Sequence, residues 1–105
     1  FEAFHQGKIS IEKIVEKMCH NPAKIFKIEN RGFIKKGFYA DLAIVNANLP
    51  FTVSKENILA KCGWSPFEGL TFKSSITHTI LNGDLVYNDN KVNENPKGKR
   101  LLFNR

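Results

Sequence analysis

Three histidines and two cysteines are the residues of this sequence whose chemistry suits metal binding. They are His5, His20, His78, Cys19 and Cys62. Zinc sites combine closely spaced ligand pairs with ligands brought in by the fold, and only the adjacent Cys19-His20 pair is close here. Neighbours at i and i+1 on a helix point in different directions and do not readily share one ion. We therefore predict no metal site in this sequence, and we interpret His78, alternating with Ile76 and Ile80, as a hydrogen-bonded histidine on a strand face.

Other catalytic patterns are also missing. Ser65 lies in Gly63-Trp64-Ser65-Pro66, which lacks the second glycine of a Gly-x-Ser-x-Gly nucleophile elbow. The seven glycines are scattered singly, whereas a phosphate-binding loop needs a glycine-rich turn between a strand and a helix. The sequence thus indicates neither a serine triad nor a phosphate loop, and we assign no catalytic, cofactor-binding or metal-binding residue.

The charge balance raises nucleic-acid binding as an alternative. Sixteen Lys and Arg against ten Asp and Glu give a net charge of +6, and Lys97-Gly98-Lys99-Arg100 could neutralise phosphates. The basic residues are nevertheless spread along the whole chain, and no aromatic platform of the RNA-recognition kind is present. We expect no nucleic-acid partner, and a free-standing basic binding module remains the rival interpretation.

Length and composition set the scale of the protein. One hundred and five residues and 12.0 kDa make one small domain or a piece of a larger one. With 42% hydrophobic and 25% charged residues, we expect the chain to fold rather than to be disordered throughout. No apolar run approaches the roughly 18 residues of a membrane-spanning helix, so we expect no membrane partner and a cytoplasmic location. Two distant cysteines form no disulfide framework, and we predict that both are buried thiols.

The first thirty residues carry helical signals. Gly7 suits the residue that closes a helix, and Ser10 suits the N-cap of a helix that begins near Ile11. Apolar residues then recur at helical spacing on one stripe: Ile11, Ile14, Val15 and Met18. Such a stripe predicts a face packed against a core.

The pair Asn21-Pro22 predicts a helix boundary. Pro22 lacks a backbone N–H, which is harmless only in the first turn, so we expect one helix to stop here and a short helix to follow over residues 23–26. Asn21 would be the N-cap of that second helix.

From Gly32 onward the signals are those of strands. Leu42-Ala43-Ile44-Val45 is a short apolar run, as expected of a strand covered on both sides. Asn82-Gly83 predicts a type I′ turn that joins strands over residues 76–81 and 84–87. A further turn at residues 88–90 would return Lys91 and Val92 as a third strand, and residues 101–103 would form a last short strand or a packed tail.

The only tryptophan lies in a turn between Gly63 and Gly69. Trp64 and Phe67 could anchor a neighbouring domain or subunit, or they could plug the interior of this chain. The sequence leaves both interpretations open.

Three stretches together carry a family resemblance. The first is Asn-Pro-Ala-Lys-Ile-Phe at residues 21–26, and the second is Gly-Phe-Ile-Lys-Lys-Gly-Phe-Tyr-Ala-Asp-Leu-Ala-Ile-Val at residues 32–45. The third runs from Ser-Pro-Phe-Glu-Gly at residues 65–69 to Thr-Ile-Leu-Asn-Gly at residues 79–83. In this order they resemble the C-terminal part of dihydroorotases, which are cyclic amidohydrolases; allantoinases and dihydropyrimidinases share much of the pattern.

The resemblance implies an α+β arrangement in two parts. Residues 1–30 would be the terminal helices of a (β/α)8 barrel, and residues 31–105 would be part of a small β-sandwich that also takes strands from the N-terminus of the family's chains. The sequence starts with Phe1 in what looks like the end of an apolar helix, so we expect a piece of a longer protein whose remainder is its partner. A homo-oligomer is implied as well. Without the rest of the parent, we expect this segment to expose unpaired strand edges and its apolar helical stripe, and therefore to self-associate or aggregate.

The resemblance also implies the parent's chemistry. The parent would interconvert dihydroorotate and N-carbamoyl aspartate in pyrimidine synthesis, with zinc supplying a bound hydroxide and a carboxylate moving the proton. The family's metal ligands and catalytic aspartate all precede the region matched here, and Asp41 belongs to the sandwich motif instead. We therefore expect this chain alone to be inactive, to hold no catalytic zinc and to have a structural role; a non-catalytic homologue that acts in assembly is a third possibility.

Overall fold

The computed structural model describes residues 1–105. Its helical part comprises α1 (Glu2–His5), α2 (Ile11–Val15), a π-helical turn (Glu16–His20) and α3 (Asn21–Ile25). Six strands follow, namely β1 (Leu42–Asn46), β2 (Phe51–Thr52), β3 (Thr71–Phe72), β4 (Ser75–Leu81), β5 (Asp84–Asn88) and β6 (Lys91–Val92). A short 3-10 helix, Lys55–Asn57, lies between β2 and β3. The predicted mixture of helices and strands is confirmed, and no helix combines the length and apolar character needed to cross a membrane.

The start of α2 is the predicted one. The Ser10 Oγ accepts a hydrogen bond of 3.2 Å from the Lys13 N–H, which satisfies one of the free donors of the first turn. Gly7 has a φ of +71°, so the left-handed residue between α1 and α2 is also confirmed.

The predicted helix boundary at Asn21-Pro22 is wrong in its details. Asn21 is helical, with φ −66° and ψ −44°, and its N–H donates to the Glu16 carbonyl five residues earlier. An α-helix that continued regularly would place the Pro22 ring against the Met18 carbonyl. The wider π-helical turn avoids this clash, so the chain passes from α2 to α3 without an N-cap at Asn21.

Four strands form an antiparallel sheet in the order β1-β4-β5-β6. Asn82 and Gly83 both have positive φ values, +50° and +86°, as the predicted type I′ turn between β4 and β5 requires. Asp89 and Asn90 are left-handed as well, which confirms the turn into β6. The sequence signals for this meander were local, and the structure follows them.

One face assignment within β4 needs correction. Val45 pairs with Ile76 and Ile44 pairs with His78, so Thr77 is an extra residue in β4. Since successive side chains of β1 point to opposite faces, Ile76 and His78 lie on opposite faces too. The sequence had predicted that both side chains share one face, because a bulge cannot be read from strict alternation.

The chain ends and the small sheet complete the architecture. β2 and β3 form a separate two-stranded antiparallel sheet. The C-terminal tail returns to the helices, where Ile28 and Phe103 form a β-bridge and the Glu29 N–H donates to the Leu102 carbonyl over 2.9 Å. Of the two predicted alternatives, the bridge favours a last short strand over a packed tail, since Leu101, Leu102 and Phe103 remain exposed.

Apolar side chains remain largely open in this structure. Ala23, at 6% exposure, is the only buried residue, and the radius of gyration of 15.5 Å exceeds the about 13 Å typical of a compact domain of this length. Val15 is 39% and Met18 73% exposed, so the apolar stripe lacks a full cover within this chain, as expected of this segment alone. Ile44 is also exposed, which corrects the expectation that β1 is covered on both sides. Both cysteines are exposed rather than buried, since no apolar layer covers Cys19 or Cys62.

Candidate functional site

The five candidate metal ligands lie in separate places. The His5 Nε2 lies 2.7 Å from the Ser74 Oγ, the His20 ring stacks on Phe33 with centroids 4.2 Å apart, and the His78 Nδ1 lies 2.9 Å from the Thr77 Oγ1. The chain contains no group of three His, Cys, Asp or Glu side chains arranged to hold a metal ion. The donor set of this chain therefore does not fit a zinc centre. The predicted hydrogen-bonded role of His78 is confirmed.

The Trp64 turn has a fixed backbone and open side chains. The Ser65 Oγ accepts a hydrogen bond of 3.1 Å from the Phe67 N–H, so this hydroxyl serves the turn. Trp64 is 62% exposed, whereas Phe67 meets Phe72 edge to face with centroids 5.9 Å apart. Within this chain Trp64 is not a plug, and the anchor interpretation remains a prediction.

The most connected polar cluster lies at the junction of the helical part and the four-stranded sheet. The Arg31 Nε donates to the Asp41 Oδ2 over 2.7 Å, and the Asn82 N–H donates to the Asp41 Oδ1 over 2.8 Å. Arg31 also packs over the Tyr39 ring, with its guanidinium carbon 4.1 Å from the centroid. One carboxylate thus holds together the end of the helical part, the start of β1 and the β4–β5 turn. We name Arg31, Asp41 and Asn82 the junction cluster.

The protonation of Asp41 follows from its surroundings. Burial raises the pKa of this carboxyl, but hydrogen bonds from the Asn82 N–H and the Arg31 guanidinium, with the guanidinium charge, outweigh it. The net result is a pKa below the ordinary value of 3.8, so Asp41 is ionised at neutral pH. An ionised carboxylate with both oxygens engaged accepts hydrogen bonds within the fold and has no free proton to transfer. This agrees with the structural role that the sequence assigned to Asp41.

A close backbone approach lies beside the junction cluster. Gly32 has a φ of +83°, and a β-carbon placed there would lie 2.4 Å from the Ala23 β-carbon and 2.8 Å from the Cys19 carbonyl oxygen. Only glycine accommodates both this φ and this contact. The contact lets the segment after α3 pack directly on the π-helical turn and α3.

The second notable feature is an open groove of about 710 Å³ between α1, the small β2–β3 sheet and one face of the larger sheet. We name it the apolar groove. Its main apolar and aromatic lining residues are Phe1, Val45, Leu59, Phe72, Ile76 and Tyr87. The sequence did not predict this groove, because its walls come from segments more than seventy residues apart.

The basic residues 97–100 lie beside the junction cluster rather than on an isolated surface. The Lys97 carbonyl accepts a hydrogen bond of 3.3 Å from the Asn82 Nδ2, and the Lys99 Nζ lies 5.4 Å from the Tyr39 ring centroid.

The sequence analysis did not predict that Arg31 is the partner of Asp41. The available signal was an Arg and an Asp ten residues apart on either side of a glycine-containing loop.

Comparison with known proteins fits this architecture. The model of the amidohydrolase family matches residues 3–86. The chain belongs to the amidohydrolase family. The dihydroorotase of Pyrococcus furiosus is 40% identical over 96% of this chain, and an allantoinase of Desulfitobacterium hafniense strain Y51 is 37% identical over 94%. The resemblance to dihydroorotases that the sequence indicated is thereby confirmed.

The backbone of this amidohydrolase-family chain also resembles a solved enzyme structure. The L-hydantoinase (dihydropyrimidinase) of Arthrobacter aurescens superimposes with a TM-score of 0.77 and 29% identity over 85% of the chain. The chain spans only about a quarter of the length of the curated relatives it matches, 24% of the Pyrococcus furiosus protein and 22% of the allantoinase.

Proposed function

We propose that this chain is the C-terminal part of a dihydroorotase-like, metal-dependent cyclic amidohydrolase and that its role in the enzyme is structural. One observation carries the proposal: 96% of the chain aligns with a dihydroorotase, yet the alignment takes up 24% of that relative. In this proposal, residues 1–30 are the last helices of a catalytic barrel and residues 31–105 belong to a small β-sandwich. The parent enzyme interconverts dihydroorotate and N-carbamoyl aspartate.

The structural role rests on the junction cluster. Arg31 follows the helical part directly, and its guanidinium is joined through Asp41 to the turn between β4 and β5. In the proposed enzyme this cluster fixes the β-sandwich to the last helices of the barrel. It acts on the fold, and none of its three residues takes part in the reaction.

The zinc of the proposed enzyme belongs to residues outside this chain. His5, His20 and His78 each have a different neighbour, and their arrangement does not fit a common metal centre. The open apolar surfaces agree with this division, because a chain with one buried residue needs further protein to complete its core. We further propose that the enzyme is cytoplasmic and forms a homo-oligomer.

The test compares the product of the full natural gene with the 105-residue chain. Both are assayed with dihydroorotate, allantoin, hydantoin and dihydrouracil, and their zinc content is measured by mass spectrometry. We expect the full-length protein to hydrolyse dihydroorotate fastest and to contain zinc, and the 105-residue chain to show neither property. Preference for another cyclic amide would overturn the dihydroorotase assignment, and turnover by the 105-residue chain would overturn the structural role.

The same purified protein also tests the alternative hypothesis that the chain is a nucleic-acid-binding module. Electrostatic binding to phosphates weakens steeply as salt is raised. We expect the full-length protein to show no salt-sensitive affinity for a labelled single-stranded RNA. Such affinity, combined with no amide hydrolysis, would favour the binding module over the enzyme.

A further inference from the structure

The turn between β4 and β5 contains the only Asn-Gly pair of the sequence, Asn82-Gly83. Asn-Gly pairs are especially prone to deamidation, because glycine has no β-carbon to shield its backbone nitrogen from the preceding side chain. The fold requires this pair for another reason, since both residues have the positive φ values of a type I′ turn. A chemically reactive dipeptide therefore lies within the junction cluster.

Deamidation of this pair would proceed through a cyclic imide. The Gly83 backbone nitrogen gives up its proton and forms a bond to the carbonyl carbon of the Asn82 side chain. The bond from that carbon to Nδ2 then breaks, and the Nδ2 takes up a proton and leaves as ammonia. Water opens the imide at either of its two C–N bonds, which leaves aspartate or isoaspartate at position 82. The first step places negative charge on the Asn82 Oδ1, and hydrogen-bond donors aimed at that oxygen would accelerate it.

The folded structure opposes this reaction at each group that takes part. The Gly83 N–H donates to the Ala40 carbonyl over 3.1 Å, and the Asn82 Nδ2 donates to the Lys97 carbonyl over 3.3 Å. The Asn82 Oδ1 is buried and accepts no hydrogen bond within the chain. The Asn82 N–H is held by the Asp41 Oδ1 over 2.8 Å. Ring closure therefore requires the turn to separate from Ala40 and Lys97, and the bond to Asp41 resists that separation.

We propose that Asn82-Gly83 is a deamidation site whose reactivity is controlled by the junction cluster. The pair is protected while the turn is bonded to the segment before β1 and to Lys97, and it reacts during transient opening of the junction. This inference concerns the folded turn and holds for any reaction that the enzyme catalyses.

The products of deamidation would not restore the junction. Aspartate at position 82 places an acceptor where the Nδ2 donates to the Lys97 carbonyl, so that hydrogen bond is lost. Isoaspartate adds a carbon atom to the backbone of the two-residue turn, which then departs from type I′ geometry. Each opening that ends in deamidation thus removes a molecule from the original folded state irreversibly.

The test places a second Asn-Gly pair in the full-length protein as an internal reference. Lys36→Asn creates this pair with Gly37, in an exposed loop where the Gly37 N–H makes no hydrogen bond within the chain. The protein is incubated in mildly alkaline buffer, and deamidation at each site is followed by peptide mass spectrometry. We expect residue 82 to react at least about tenfold more slowly than residue 36, because only the opened fraction is reactive. Equal rates in the folded protein would overturn the proposal.

The same measurement in concentrated urea separates the effect of the fold from that of the neighbouring residues. Once the protein is unfolded, we expect residues 36 and 82 to react at similar rates. If residue 82 stays slow in urea by the same factor, its resistance comes from the local sequence and the proposal is wrong.

Asp41→Ala in the Lys36→Asn background tests the role of the junction cluster. This substitution removes the carboxylate that holds both Arg31 and the Asn82 N–H. We expect residue 82 to react about fivefold faster or more, while residue 36 keeps its rate, because losing these bonds raises the opened fraction by roughly that factor. An unchanged rate at residue 82 would refute control by the junction.

His5→Ala is the matched control, because it removes a hydrogen bond to Ser74 outside the junction. We expect it to leave the rate at residue 82 unchanged, and an acceleration equal to that of Asp41→Ala would assign the reaction to global unfolding instead. Circular dichroism checks that each variant is folded. If Asp41→Ala does not fold, the comparison of residues 36 and 82 in folded protein and in urea decides the proposal.

Discussion

The junction cluster and the apolar groove differ in how far their side chains are buried and bonded within this chain. At the junction, both oxygens of Asp41 have partners, the Arg31 side chain is nine-tenths buried, and Gly32 lies in direct contact with Ala23. Along the groove, Leu59 and Ile76 expose more than half of their side chains. The carboxylate of Asp41 is thus fully bonded locally, although the Arg31 Nη1 and the Asn82 Oδ1 are buried without a partner. The burial of apolar surface along the groove depends on protein beyond these residues. Single substitutions should therefore have larger effects at the junction than their exposure alone suggests.

The largest expected effect is that of Gly32→Ala in the full-length protein. The new β-carbon would clash with Ala23 and the Cys19 carbonyl, and the left-handed backbone would be strained as well. We expect a loss of about 2–4 kcal/mol in the free energy of unfolding, measured by urea denaturation. Gly37→Ala is the matched control, because Gly37 has a similar φ of +87° with nothing within 4 Å of the new atom. Equal losses for the two variants would show that the contact with Ala23 adds nothing.

The next effect concerns the charge of Asp41. Asp41→Asn keeps the shape of the side chain but weakens its bonds to Arg31 and to the Asn82 N–H. We expect a loss of about 1–3 kcal/mol in the free energy of unfolding, since a largely buried guanidinium loses its counter-charge. Glu16→Gln is the comparison, because the Lys13 Nζ to Glu16 Oε2 pair is similarly short at 2.6 Å but both side chains are nearly half exposed. We expect no measurable change for that variant, and a loss like that of Asp41→Asn would contradict the view that the junction is special.

A smaller effect is expected from pH. The pKa of Asp41 is lower in the folded protein than its usual value of 3.8, so its contribution to stability is complete above that value and disappears as the pH falls through the folded-state pKa. Urea midpoints between about pH 5 and pH 3 should fall more steeply for the original protein than for Asp41→Asn. Parallel curves for the two proteins would mean that Asp41 titrates alike in the folded and unfolded states.

The smallest effect lies where α1 meets the rim of the groove. His5→Ala removes the bond between the His5 Nε2 and the Ser74 Oγ, and we expect a loss of about 1 kcal/mol in the free energy of unfolding. A double-mutant cycle with Ser74→Ala isolates this bond from the one that Ser74 makes to the Ala47 carbonyl. Strictly additive losses would show that the two side chains do not interact.

The parts of the fold that the sequence predicted are those whose signals are local. Ser10 caps α2, and Asn82-Gly83 turns β4 into β5, because each requirement involves only a few neighbouring residues. The exposure of the apolar stripe in this segment alone was predicted and is confirmed for Val15 and Met18, whereas the predicted burial of Cys19 was wrong. A sequence pattern shows which face is apolar but not what covers it. The π-helical turn was not predicted for another reason. A helix can accommodate Pro22 by widening as well as by ending.

The features of the candidate site also fall into those that the sequence predicted and those that required the structure. The resemblance to the family implied that Asp41 lies outside the catalytic machinery, but its partners Arg31 and Asn82 come from other segments and required the folded backbone. The groove was wholly beyond sequence reasoning, because Phe1 and Ile76 meet only after the sheet has formed.

The hydrogen bond from the Asn82 N–H to Asp41 has a consequence for strand alignment. Asn82 belongs to the turn between β4 and β5, while Asp41 immediately precedes β1, so the bond forms only when the hairpin and β1 are in one relative position. A shift of β4 by a single residue would carry that amide away and would also reverse which side chains of β4 face the groove. The ionised carboxylate thus adds a polar preference for the observed pairing of Leu42 with Ile80.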